Sequence, residues 1–255
     1  MTQRSRYYQP AVASMALLED IADVLGPGGF LWVARGASPA FSPHLGGISE
    51  VSSVVEGGIH LPSGLILPTF NSATAVASFG DNAAFSPGSA TADAPFSLGI
   101  FAIPFEITAA RSLVAKYDSA GTLREYDFRI ASTGKLQLEL YDESADTTEI
   151  ATGNTVLPLW KMKFLCATYD GGETSPIVNL YIDSVLDNDG STVETGAYVA
   201  MENTTAPLLV GARGVAATPL QLWKGQIPLA FLTNIELTPA QVAQIDRAGS
   251  QLVGL

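Results

Sequence analysis

Two carboxylates, Glu125 and Asp127, stand two residues apart in the run LREYDFRI. On a β-strand that spacing puts both on one face, where one carboxyl could act as acid and the other as nucleophile at a glycosidic bond. Arg129 takes the next place on that face, so the run reads as a cation–carboxylate ladder on a solvated strand. There is no Ser-His-Asp set, phosphate loop or redox motif, and an enzyme is not expected. Asp187-Asn188-Asp189-Gly190 offers three side-chain oxygens and a glycine for a sharp bend, a set that suits a hard cation such as calcium. A plain hairpin turn is the commoner meaning of the same residues. Calcium is the one cofactor the sequence suggests. Asp142, Glu143 and Asp146 form a second acidic loop, read as solvated. His44 and His60 lack neighbouring ligands and make no metal motif. For stacking on a sugar ring the leading candidate is Trp223, beside Lys224, with Tyr169 as a second. Trp160, like Tyr169, has core or strand-end packing as its plainer reading.

These residues need elements to position them. The chain has 255 residues, is 47% hydrophobic and 15% charged, and so has ample material for a core. Its net charge of -12 argues against nucleic acid and anionic membrane as partners. The one cysteine, Cys166, excludes an internal disulfide and falls inside an apolar strand pattern.

Period-two alternation recurs along the chain. Phe96, Leu98 and Ile100 alternate, and Tyr126, Phe128 and Ile130 point one way while Glu125, Asp127 and Arg129 point the other. Leu136, Leu138 and Leu140 follow. Trp160, Met162, Phe164 and Cys166 share a face, and so do Val178, Leu180 and Ile182, with Asp170-Gly171-Gly172 as the connecting turn. Shorter strands are expected at 49–55, 64–68, 75–79, 110–115 and 208–211, and a longer one at 225–232. Phe164 and Leu180 are expected in the core on facing strands. This spacing predicts an all-β antiparallel sandwich. At its end Thr238-Pro239-Ala240-Gln241 is a capping box that opens a short C-terminal helix.

The first 28 residues read differently. Arg4 and Arg6 give residues 1–18 a charge of +2 on an acidic chain, Tyr7 and Tyr8 add aromatic contacts, and an amphipathic helix follows. The segment is expected to be an arm and helix that anchor the protein to a partner, separable from the body, with Arg4, Arg6, Tyr7 and Tyr8 making the contact. Residues 29–74 are Gly/Pro-rich and lead into the sandwich, which occupies 75–255.

The pieces FSLGIFAIPF, REYDFRI, TGKLQLEL, LCATYDGG, VNLYIDSVL, LLVGAR and LWKGQIPLAFLTNIELTPAQVAQI occur in an order that resembles a laminin-G-like jelly roll of the concanavalin A-like lectin and glucanase superfamily, over residues of about 75–250. That resemblance implies a jelly-roll β-sandwich and, often, calcium in loops at its rim. Two positions depart from it. The Trp expected seven residues before Tyr-Asp stands nine before, as Trp160, and Asp183 is followed by Ser184 in place of Gly. The Glu-x-Asp-x-Glu pattern of the superfamily's glucanases is absent, because Arg129 holds its third place.

Three functional classes follow. The first is a non-enzymatic subunit of a virus particle, a phage capsid-decoration or tail-associated protein, in contact with virion proteins, copies of itself or a cell-surface glycan. The second is a free carbohydrate-binding or adhesion module, secreted or at the cell surface. The third is a glycan-active enzyme. The first is preferred because no convincing secretion signal is seen and assembled particles need none.

Overall fold

The computed structural model describes residues 9–34, 42–45, 52–54, 56–63, 65–172 and 177–254. Arg4, Arg6, Tyr7 and Tyr8 lie outside them. Strands are numbered in chain order. One sheet runs β14 (Val185–Leu186), β13 (Val178–Ile182), β12 (Lys163–Tyr169), β7 (Phe96–Pro104), β19 (Gly225–Thr233), β1 (Phe30–Val33), β2 (Ser42–Leu45); β5 (Ile66–Phe70) also pairs with β19, and β4 (Glu56–His60) with β5. The second runs β15 (Asn188–Thr195), β11 (Thr147–Val156), β10 (Lys135–Asp142), β9 (Leu123–Ile130), β8 (Arg111–Asp118), β16 (Leu208–Val210), β6 (Val76–Ser78), β3 (Ser52–Val54). A separate hairpin joins β17 (Arg213–Val215) to β18 (Thr218–Leu220). All the pairings are antiparallel, and the two sheets face each other as the alternation predicts.

Three layers result. Between the sheets lie Phe96, Leu98 and Ile100 of β7, Leu180 of β13, Tyr126, Phe128 and Ile130 of β9, and Leu136, Leu138 and Leu140 of β10. The other face of the first sheet is also apolar, with Phe101, Phe164, Cys166, Leu229 and Phe231. Two helices cover it: α1 (Gln9–Leu25) and α2 (Pro239–Val253), the latter opened by the expected capping box. Gly99 is needed there because a Cβ would stand 2.5 Å from the Phe231 ring. Phe164 and Leu180 are both buried, but on opposite faces of one sheet.

Three local expectations change, and one strand was not expected. Trp160 is not on β12, which begins at Lys163. The stretch Thr147–Val156 is a strand, β11, though its Thr, Gly and Asn content hides the alternation. The bend after β13 is made by Asp183 and Ser184, whose φ values of 50° and 62° are those of a tight hairpin turn, so Asn188 already begins β15. Finally, α1 is no loose appendage, for Leu18, Ile21, Val24 and Leu25 pack with Val242, Ile245 and Leu252 of α2 and with the sheet. Removing this helix would uncover that apolar face.

Ile21 is fully buried at this junction. Ile21→Ala is expected to lower stability by about 2–5 kcal/mol in urea unfolding. A loss of a few tenths would mean that α1 does not dock.

Candidate functional site

The three residues expected to hold a sugar do not converge. Trp223 is 0% exposed inside the inter-sheet core, so its ring has no free face. Tyr169 is equally buried, and its hydroxyl lies 2.8 Å from Asp93 Oδ2 and 2.8 Å from the Gly172 carbonyl. Lys224 Nζ donates to the Asn71 carbonyl at 2.6 Å. Tyr169 pairs with Phe96 at one end of β7, while Gly225, beside Trp223 and Lys224, pairs with Pro104 at the other. Trp223 joins the inter-sheet core although Leu222 and Lys224 on either side are only partly buried.

The expected calcium loop is also committed elsewhere. Asp187 is 7% exposed, and its carboxylate accepts from Thr155 Oγ1 at 2.6 Å and from the Thr155 amide. The Asn188 side chain accepts from the Leu180 amide at 2.7 Å and donates to the Val178 carbonyl at 3.0 Å. Asp187 thus fastens the crossing between the sheets to β11, and Asn188 fastens it to β13. The Asp189 side chain lies outside the described residues. Among the described residues no group of three or more His, Cys, Asp or Glu is placed to hold a metal ion.

A groove of about 590 Å³ runs instead across the outer face of the second sheet. β8 contributes Tyr117, β9 Arg129, β10 Lys135, Gln137 and Glu139, and β11 Thr152, while Arg213 and Gln221 from the β17–β18 hairpin form a wall. The turn Ala131–Thr133 closes one end. These side chains share a face because they alternate with the core residues. The ladder seen in the sequence is here, but it is not simply solvated. Asp127 is 0% exposed, 3.3 Å from Arg213 and 3.5 Å from Arg129. Arg129 also pairs with Glu139 and donates to Gln137 at 3.1 Å. Burial opposes its charge, yet the two carboxylates outweigh it and raise its pKa. Glu125 is buried too, bonded to Lys116 at 2.7 Å and to the Thr204 amide and hydroxyl at 2.7 Å. Desolvation raises its pKa despite these partners. Neither carboxylate is a free acid or base.

The structure adds a residue that the sequence reading passed over. Trp160 is 65% exposed, has φ of 61°, and stacks on Phe105 with ring centroids 4.2 Å apart at 22°. Its amide donates to the Pro104 carbonyl at 2.8 Å. A bulky residue held in the left-handed region marks a position that its surroundings dictate. The segments that carry this platform reach Gly134, next to the turn that closes the groove. Gly134, with φ of +79°, sits so that a Cβ would lie 2.9 Å from Val156 and 3.0 Å from Ile107, and its carbonyl accepts from the Leu157 amide. The signal was the Trp displaced by two places after Pro158.

The acidic loop of Asp142, Glu143 and Asp146 is tied down at the other end of this face. Asp142 accepts from the Ala145 and Val199 amides. Arg124 donates to both Glu143 oxygens, at 2.7 and 2.5 Å, and lies 3.8 Å over the Tyr141 ring. The bond to Arg124 holds the Glu143 carboxyl below the usual carboxylate range. Because folding lowers this pKa, the pair stabilises above the unfolded value near about 4.3 and the gain is lost as pH falls through the folded value. Glu143→Gln should cost about 1–2 kcal/mol at pH 7. In urea titrations the gap to the wild-type chain should close below about pH 4; a gap constant with pH would contradict the pairing.

A model of the concanavalin A-like lectin/glucanases superfamily matches residues 78–243. No curated protein matches the chain. Among solved structures, the binding domain of Paraclostridial Mosquitocidal Protein 1 is similar with a TM-score of 0.65 and 9% identity, over 86% of this chain and 52% of that one. The binding domain of botulinum neurotoxin serotype G gives 0.57 and 12%, over 87% and 51%. Domain 4 of AbnA, an extracellular arabinanase from Geobacillus stearothermophilus in complex with arabinotriose, gives 0.51 and 16%, over 86% and 87%. These identities speak for a shared fold. With most of the sandwich inside the matched region, the chain belongs to the concanavalin A-like lectin/glucanases superfamily.

Proposed function

We propose that the chain is a glycan-binding module that holds its ligand in the groove on the second sheet, with Trp160 as a stacking platform at the rim. The observation that carries this reading is a groove lined by amide, hydroxyl and guanidinium groups, with an exposed aromatic ring on a segment that reaches the turn closing it. Sugars need both, because their hydroxyls want hydrogen-bond partners and their C–H faces want an apolar plate. The bound arabinotriose of the AbnA domain supports the reading by analogy of fold. Binding is proposed without catalysis, since Glu139, the carboxylate lining the groove, is paired with Arg129.

The finer reading is that this module serves as an attachment or decoration subunit of a virus particle. Its support is compositional: 15% charged residues, a single cysteine and a +2 N-terminal segment on a chain of -12. Co-purification with particles, and mass in solution, test that part separately.

A glycan array probed with the full chain should give hits, and Trp160→Ala should weaken them at least about tenfold, or about 1.4 kcal/mol. Because the ring is mostly exposed, the variant should unfold within about 1 kcal/mol of the original. An array without hits would overturn the proposal. Hits unaffected by Trp160→Ala would remove the platform from it.

A further inference from the structure

We propose that the groove takes an acidic glycan, with carboxylates or sulfates of its sugar units received by Lys135 and by Arg213. This rests on the glycan-binding reading of the same groove and names its substrate class. The chain carries 25 acidic residues against 13 Lys and Arg, so a cationic groove runs against its overall charge. Yet Arg129, Lys135 and Arg213 all line it, opposed by one lining carboxylate, Glu139. The ion pairs do not use these cations equally. Arg129 is occupied by Asp127, Glu139 and Gln137. Among the described residues Arg213 has one carboxylate contact, to Asp127 at 3.3 Å, lies 4.7 Å over the Tyr117 ring, and has an Nε without an acceptor. Lys135 makes no ion pair among the described residues. Asp127 and Glu139 set two negative charges against three cations, and the positive charge left over sits at Lys135 and in part at Arg213. Gln137, Thr152 and Gln221 beside it are suited to sugar hydroxyls, which a bare anion would not need. The acidic surface elsewhere repels polyanions, so an acidic glycan that binds must do so locally.

The test is calorimetry on the full chain with four polymers: polygalacturonate, its carboxyl-reduced form, dextran sulfate and plain dextran. At least one acidic polymer should bind, its uncharged counterpart should bind at least about tenfold more weakly, and raising salt from about 0.05 to 0.5 M should weaken binding further. Which acidic polymer binds distinguishes carboxylate from sulfate. Lys135→Ala should lose at least about tenfold and Lys135→Arg should retain binding, while Arg247→Ala on α2 should change nothing. Lys135 supports no ion pair among the described residues, so its variants should keep the original circular dichroism and melting temperature. An uncharged polymer bound as tightly as its acidic form, or an unchanged Lys135→Ala, would overturn the inference and leave the glycan-binding reading standing. No binding to any of the four, with an empty glycan array, would overturn both.

Discussion

The fold depends on a sheet that is apolar on both faces. β7, β12 and β19 lie at its centre, and each sends side chains into two cores. A sheet of this kind cannot stand with one face in water, because Phe101, Phe164, Leu229 and Phe231 would all be exposed. The second sheet covers one side. The helix pair covers the other, which is why the N-terminal helix belongs to the body even though it precedes the recognised sandwich by fifty residues or so in sequence.

With the first sheet enclosed, the outer face of the second sheet is where a broad ligand surface can form. That face is built at some cost. Asp127 and Glu125 are out of water, and Asp127 Oδ1 and Glu125 Oε2 have no hydrogen-bond partner among the described residues. The cations around them, Arg129, Arg213 and Lys116, offset the desolvation and hold the strands' polar side in a fixed register. A prearranged lattice of guanidinium and amide groups results, and rigid polar lattices bind sugars without first having to order themselves.

The rim obeys a different constraint. Four segments meet there through backbone hydrogen bonds: Phe105 to Lys224, Trp160 to Pro104, and Leu157 to Gly134. Held at both ends, the 157–162 connection turns Trp160 outward onto Phe105. Strand β12 thus starts three residues later than its hydrophobic pattern suggested, and the ring that looked like core becomes surface.

Much of this was legible from residue order alone. The alternation in Leu123–Ile130 and Leu136–Leu140 named the inward and outward faces correctly, and Thr238 to Gln241 marked the last helix, because strand pleat and helix capping are local consequences of side-chain type. Polar strands escaped: β11 and the start of β15 are rich in Thr, Asn, Asp and Gly, which suit turns as well as sheet edges. The site was decided by tertiary structure. Trp223 and Trp160 are both Trp beside Lys, and nothing local says which ring is enclosed and which is free. Arg213 comes to the same groove as Arg129 and Lys135 from a hairpin about eighty residues further along the chain. Exposure and long-range proximity are properties of packing between distant strands, and a sequence pattern with a period of two carries neither.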